Sequence, residues 1–337
     1  MRFGLLGSAE ARRGVGGEAG AGFRSFVDRS VEAEALGFHS TFLVEHHFSG
    51  IGQVSASLDL LAWVAARTTT LRLGTAVLVL PWHDPVMLAE RAATLDLLSG
   101  GRLDCGVGKG YRHAEFVGFG VPFEEAEERF DEALCVMVKA WTSDVRFSHL
   151  GRFWQYHDIV VEPPTAQKPH PPLWIAAGHH DSIRKVAALD ANLLLDQFAS
   201  TEEIGERIDL FRSECEALGR AFDPKDVAVA RNVHVAGDAA EADEARAAQA
   251  QTHARIVELS RRPDGRNRSH IMAYADTPGA TEANGLFGTP DQIVAAIEAL
   301  SGVGVEYVLL NGGSGATESM RRFATDVMPA FHRDPCG

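Results

Sequence analysis

Residues 71–107 read LRLGTAVLVLPWHDPVMLAERAATLDLLSGGRLDCGV, and this stretch carries the pattern that decides the fold. An apolar run at 71–80 predicts a buried strand, and a second apolar run at 103–107 predicts another. Between them, Asp84 and Pro85 are typical of the residues that begin a helix. A strand, a helix and a second strand in this order predict one unit of a parallel sheet.

The same alternation of short apolar runs with amphipathic segments continues in both directions along the chain. Further buried strands are predicted at 1–7, 41–45, 173–177, 192–196, 227–235 and 305–310. A strand that is covered on both faces has a continuous apolar sequence, and these segments have such sequences. Eight strand–helix units indicate an α/β fold of the (β/α)8 TIM barrel type, and a doubly wound open sheet is the alternative.

The chain has 337 residues, whereas a (β/α)8 barrel needs about 250. The surplus falls in two insertions, 144–172 before the fifth strand and 261–288 before the last helical pair. Long insertions in a compact domain usually form lids or binding loops, or are disordered. We therefore expect a single barrel domain over 1–337, with an insertion at 144–172 and a mobile one at 261–288.

Composition and charge exclude several classes of protein. The formal net charge is −14 and no basic run interrupts it, which disfavours nucleic acid as a partner. No apolar stretch approaches the roughly 18 residues of a membrane span, and the N-terminal apolar run is too short for a signal peptide. The four cysteines form no C-x-x-C pair, which disfavours a zinc site and is typical of reduced thiols. These features together predict a cytoplasmic protein.

The segment 45–48 (EHHF) follows the second predicted strand, at the strand end where barrels place their chemistry. Neighbouring residues on a strand point to opposite faces, so His46 and His47 are not expected to share a metal ion. A histidine at this end is suited to general acid–base catalysis, because its pKa lies near neutrality. The alternative is a histidine that only makes structural hydrogen bonds.

Three glycine-containing segments follow other strands and are candidate anion sites. Segment 106–110 (GVGKG) offers backbone N–H groups and Lys109, although it matches neither G-x-G-x-x-G nor a P-loop. Segments 178–182 (GHHDS) and 311–315 (NGGSG) each open a helix, whose N-terminus attracts phosphate. By fold rules alone 311–315 is the better phosphate site, and plain helix caps or tight turns are the alternative throughout.

Six motifs in a fixed order make the chain resemble a known family. They are 45–48 (EHHF), 74–81 (GTAVLVLP), 98–102 (LSGGR), 106–110 (GVGKG), 288–290 (GTP) and 326–329 (DVMP). With them the chain resembles the bacterial luciferase-like family of flavin-dependent monooxygenases, in its luciferase α-like branch. The resemblance implies a (β/α)8 barrel with insertions that binds its flavin at the carboxyl ends of the strands.

The resemblance also implies roles for individual residues. His46 takes the position of the catalytic histidine, and Ala76 and Val77 match a non-prolyl cis peptide that lies against the isoalloxazine ring. The implied cofactor-binding residues are Ala76, Val77, Lys109, Tyr111, Gly178, His179, Ser182 and Gln197. Of these, Lys109, Gly178, His179 and Ser182 match phosphate-binding positions, so the resemblance favours 178–182 over 311–315. Glu115 matches an acidic residue that modulates flavin binding.

The function implied is an FMNH2-dependent two-component monooxygenase. It would take FMNH2 from a separate flavin reductase, since no NAD-binding fingerprint is present, and insert one oxygen of O2 into a small organic substrate through a flavin C4a-peroxide. The family usually dimerises through helices that match 57–67 and 85–98, so a homodimer is expected. The alternatives are a deazaflavin-dependent oxidoreductase that transfers hydride and a non-catalytic flavin-binding relative.

Overall fold

The structure is a computed structural model that describes residues 1–11, 20–50, 52–260, 283–312 and 316–331. Its strands are β1 (Arg2–Gly7), β2 (Ser40–Leu43), β3 (Arg72–Thr75), β4 (Leu78–Val79), β5 (Leu103–Gly108), β6 (Phe147–Leu150), β7 (Gln155–Ile159), β8 (Leu173–Ala176), β9 (Asn192–Leu195), β10 (Val227–Val235), β11 (Leu286–Gly288) and β12 (Tyr307–Asn311). Its helices are α1 (Ala21–Ala35), α2 (Ser57–Ala65), α3 (Pro85–Leu98), α4 (His113–Phe119), α5 (Ala126–Thr142), α6 (His180–Ala188), α7 (Thr201–Ala217), α8 (Ala239–Ser260), α9 (Pro290–Gly302) and α10 (Ala316–Arg322).

The main sheet has the strand order β11-β10-β12-β1-β2-β3-β5-β8-β9, and β9 also pairs with β10. The pairs β1–β12, β10–β12, β9–β10 and β3–β5 are parallel. Because β9, the last strand in this order, also pairs with β10 near its beginning, the sheet closes on itself. The sheet is therefore a closed (β/α)8 barrel, which confirms the predicted TIM barrel fold. The alternative of an open, doubly wound sheet is wrong, because such a sheet would end in two edge strands.

The eight predicted strands are all present within a few residues of their predicted ends. The run at 71–80 is divided into β3 and β4, and the peptide bond between Ala76 and Val77, which lie between these strands, is cis. This cis bond is the one that the resemblance implied. The helix start predicted at Asp84 is also confirmed, since the Asp84 side chain accepts hydrogen bonds from two backbone N–H groups at the start of α3.

The two predicted insertions have different outcomes. The segment 144–172 contains an antiparallel hairpin, β6–β7, which the continuous apolar pattern could not reveal. Residues 283–288 include β11, which pairs in parallel with β10. Residues 261–282 lie outside the described residues, so the mobility predicted for 261–288 stays a prediction there.

The chain divides into two compact units by its internal contacts. Unit 1 comprises Met1–Gly7, Glu32–Phe42 and Ile175–Gly337, and unit 2 comprises Ser8–Val31 and Leu43–Trp174. In unit 1, Phe3 packs edge-to-face on Phe323, with ring centroids 5.1 Å apart. In unit 2, Arg72 and the buried Asp104 form an ion pair with a 2.7 Å separation. The prediction of one domain over the whole chain stays a prediction.

None of the helices in the described ranges is both long enough and apolar enough to cross a membrane.

Candidate active site

The strongest candidate site in unit 2 is built around His46, just beyond the end of β2. The His46 Nδ1 lies 3.1 Å from Oε1 of Glu115, a residue of α4 that is only 2% exposed. The same oxygen accepts a 2.9 Å hydrogen bond from the backbone N–H of His47. A carboxylate oxygen can only accept, so Nδ1 carries the hydrogen and Nε2 presents a lone pair. We refer to these two side chains as the His46–Glu115 pair.

Three effects set the charge of His46. Burial lowers the pKa of His46, and it outweighs the Glu115 carboxylate, which raises it. The positive charge of Arg112 lowers the pKa of His46 further. The imidazole is therefore neutral at neutral pH, and its Nε2 can accept a proton.

A second buried carboxylate, Glu45, organises the other side of this segment. It accepts hydrogen bonds from Nε2 of His47 (2.8 Å), Nε2 of His83 (2.8 Å), Nε1 of Trp82 (2.9 Å) and the backbone N–H of Val79 (3.0 Å). Burial alone would raise the pKa of Glu45, but the hydrogen bonds lower it to about 2. Glu45 is thus a fixed anion that joins the end of β2 to Val79, the last residue of β4.

The two adjacent histidines have separate partners. His46 binds Glu115 and His47 binds Glu45, so each imidazole is committed to a different carboxylate. β2 ends at Leu43, so the two histidines do not lie on the strand, and strand alternation does not separate their side chains. They are separated because each binds a different carboxylate. Across the described residues, no group of three potential ligands is placed to hold a metal ion.

Aromatic side chains surround the two histidines. The rings of His46 and Tyr111 are nearly perpendicular, with centroids 6.3 Å apart. Phe119 lies 4.7 Å from the His47 ring and stacks on Trp82 at 5.1 Å. Among the predicted residues of unit 2, Tyr111 is therefore placed beside the catalytic candidate.

The cis peptide and the glycine segment are in direct contact. The Thr75 Oγ1 donates to the carbonyl oxygen of Gly106 at 2.7 Å and accepts from its N–H at 2.9 Å. A Cβ added to Gly108 would lie 2.5 Å from Cγ2 of Val77. A glycine is needed at 108 for this close approach. The structure thus brings Val77 against Gly108 of the 106–110 segment, a contact that sequence spacing does not show.

Lys109 lies at the rim of this segment. Its Nζ is 3.6 Å from Oε1 of Glu127, and 40% of its side chain is exposed. A lysine held loosely by an exposed carboxylate can exchange that partner for a phosphate, because such pairs contribute little energy.

The remaining predicted residues lie in unit 1. Gly178, His179 and Ser182 surround the start of α6, where His179 is the N-cap residue and makes no side-chain capping bond. The first N–H groups of a helix have no acceptor within it, so this turn suits an anion. Gln197 follows β9, whereas residues 313–315 of the alternative phosphate segment lie outside the described residues.

Sequence reasoning misses most of the groups that hold Glu45 and His46. It gives Glu115 only an influence on flavin binding, and it does not single out Arg112 near His46 or the Glu45 partners Trp82 and His83. The available signal is faint: Arg112 and Glu115 have opposite charges and are three positions apart in the sequence.

Comparison with known proteins assigns a family. A family model described as luciferase-like monooxygenase matches residues 1–307. Two uncharacterized proteins of Sinorhizobium fredii are 31% and 35% identical over 232 and 194 residues, or 68% and 57% of the chain. The matches cover 66% and 56% of those proteins, so the chain spans two thirds or less of the length of these relatives.

Three further matches bear on the chemistry. The oxygenase component of a flavin-dependent trigonelline monooxygenase from Acinetobacter baylyi is 25% identical over 316 residues, covering 89% of this chain and 87% of that protein. An F420-dependent glucose-6-phosphate dehydrogenase of Intrasporangium calvum is 32% identical over 176 residues, covering 49% and 52%. The crystal structure of a monooxygenase from Streptomyces bottropensis superposes with a TM-score of 0.81 at 27% identity, covering 98% and 100% of the two chains.

Proposed function

The chain belongs to the luciferase-like monooxygenase family, and on this premise we propose that it is the oxygenase component of a two-component, FMNH2-dependent monooxygenase. The observation that carries the proposal is the His46–Glu115 pair, in which a buried carboxylate holds a half-buried, neutral imidazole beside Tyr111. A poised acid–base group is what an oxygenase needs and what a flavin carrier does not. The substrate is a small organic molecule, and O2 is the co-substrate.

The residues present fit a flavin mononucleotide. Gly108 packs against the side chain of Val77 and adds no side chain of its own to this wall, which suits a planar ring. The first turn of α6 has an uncapped N-terminus and the hydroxyl of Ser182, a donor set suited to phosphate. We propose that Ala76, Val77, Tyr111 and Gln197 contact the ring, and that Lys109, Gly178, His179 and Ser182 bind the phosphate.

The chemical role of the protein's own residues is to exchange one proton through His46. When bound, reduced FMN supplies the electrons that activate O2. Glu115 holds Nδ1 of His46, so the imidazole is oriented and only Nε2 exchanges a proton with the reacting groups. The aromatic rings of Tyr111, Trp82 and Phe119 limit the access of water to this region.

The relatives support this assignment and also define the alternatives. The trigonelline enzyme is named as an oxygenase component, which supports a separate flavin reductase as the partner of this chain. The F420-dependent relative supports the second candidate, a deazaflavin-dependent oxidoreductase that transfers hydride without oxygen. A non-catalytic flavin-binding protein is disfavoured, because it would not need the oriented His46.

Mixing the protein and FMNH2 with O2 tests the proposed function. We expect the absorbance of oxidised flavin to return more slowly than with free FMNH2, because the site shields the reduced ring from water. Unaltered flavin reoxidation, together with tight binding of a reduced deazaflavin and hydride transfer from it, would establish the second candidate instead. Tight FMN binding with neither reaction would indicate a non-catalytic relative.

We also propose that the chain forms a homodimer through α2 and α3. Exposed apolar side chains lie on these helices, with 54% of Trp63, 63% of Met87 and 69% of Leu98 accessible. Exposed apolar side chains on adjoining helices are typical of an interface.

Leu98→Glu is expected to convert the dimer to a monomer, because a carboxylate would be buried without a partner in the interface. Light scattering coupled to gel filtration measures the mass. Leu218→Glu is the matched control, since Leu218 is 55% exposed and lies after α7 in unit 1. A wild-type protein that is already monomeric would contradict the proposal.

A further inference from the structure

Arg112 is the most deeply buried positive charge near His46. It is 2% exposed, at the N-cap position of α4, and its Nη1 lies 3.8 Å from Oε1 of Glu115. The same Nη1 donates a 3.1 Å hydrogen bond to Oγ of Ser49, in the segment that follows His46 and His47. Arg112 therefore connects α4 to the 45–49 segment. Both contacts are made by Nη1, whereas Nε of this buried guanidinium has no hydrogen-bond partner within the described residues.

We propose that Arg112 is a positioning residue that holds Glu115 as a hydrogen-bond acceptor, so that His46 keeps its proton on Nδ1 and leaves Nε2 free. Its consequence for the reaction rests on the proposed function. We assign Arg112 no contact with the flavin or the substrate, and it acts through Glu115. The geometry supports this order, because one oxygen of Glu115 faces the guanidinium of Arg112 and the imidazole of His46.

The charges explain why the third group is needed. A buried carboxylate beside an imidazole favours imidazolium, which would remove the lone pair from Nε2. Arg112 opposes this in two ways. Its positive charge compensates the negative charge of Glu115, and it lowers the pKa of His46 directly. With Arg112 in place, Glu115 can orient His46 while the imidazole stays in its neutral form.

The other influences on the pKa of His46 are burial and two carboxylates. Burial lowers the pKa of His46, and the carboxylates of Glu115 and, more weakly, Glu45 raise it. Glu45 is already occupied by its own donors. Arg112 is the group through which a single substitution changes the charge balance and leaves the Glu115 hydrogen bond to His46 in place.

The test is a titration of His46 in the flavin-free full chain. Isotope-labelled imidazoles are followed by NMR against pH, and the His46 signal is identified among the 14 histidines by its loss in His46→Ala. We expect Arg112→Gln to raise the midpoint by about one pH unit, because a nearby opposing charge is lost. Arg112→Lys, which keeps the charge, is expected to titrate close to the wild type. Glu115→Gln is expected to titrate at lower pH.

The outcomes separate this inference from the proposed function. An unchanged His46 midpoint in a folded Arg112→Gln variant would overturn the positioning role inferred for Arg112. If that variant does not fold, an unchanged midpoint in Glu115→Gln would do the same, since Arg112 could then not act through Glu115. Because the titration needs no flavin, its result stands whether or not oxygenation is found. Where oxygenation is found, the acidic limb of kcat/KM moves to higher pH in Arg112→Gln.

Discussion

His46→Ala is expected to bind FMN as the wild type does and to lose about 10²- to 10⁴-fold in product formation, the contribution typical of a positioned acid–base group. The imidazole supplies the proton acceptor at Nε2, and alanine leaves Glu115 with one donor fewer but keeps the wall of Val77 and Gly108. Single-turnover oxygenation with preloaded FMNH2 measures the chemistry, and fluorescence titration measures flavin binding.

The control for this variant is His157→Ala, which removes an exposed imidazole on β7. It is expected to behave as the wild type in both measurements. Oxygenation at the wild-type rate in His46→Ala would remove the role assigned to His46. Equal loss of flavin binding and turnover would instead place His46 in cofactor binding.

Glu45→Ala is expected to lower the free energy of unfolding by about 3–5 kcal/mol, the range typical when one partner of a buried charged network is removed. Its carboxylate satisfies donors from His47, Trp82, His83 and Val79, and alanine would leave them buried without that acceptor. Urea unfolding followed by circular dichroism measures the change. Glu298→Ala is the control, because Glu298 is exposed on α9.

The same carboxylate gives stability a defined dependence on pH. The pKa of Glu45 is lowered from an ordinary value of 4.5 to about 2 in the folded chain. Its contribution is therefore fully present above pH 4.5 and is lost as the pH falls toward 2. A shift of this size corresponds to about 3 kcal/mol.

Glu45→Gln provides the comparison for this pH dependence, since it removes the titration and keeps the shape of the side chain. The difference in unfolding free energy between wild type and Glu45→Gln should shrink as the pH falls from 4.5 toward 2. A constant difference across that range would show that Glu45 is not held as an anion.

Much of the fold was predictable because its signals are local. Buried parallel strands require continuous apolar runs, and the runs at 103–107 and 227–235 coincide with β5 and β10. Helix starts depend on side chains within one turn, so Asp84 could be recognised as a cap from its neighbours. The hairpin β6–β7 was missed because its half-exposed, polar strands resemble loop sequence.

The chain sequence by itself determined the barrel and placed His46 at the end of a strand, because apolar periodicity and residue order are properties of neighbouring positions. Only the tertiary structure decided which groups surround that histidine. Glu115 reaches His46 from 69 positions away, and His83 reaches Glu45 from 38 positions away. Hydrogen bonds between side chains so distant in sequence form only after the strands are assembled, and the charge of the imidazole depends on burial that no local pattern encodes.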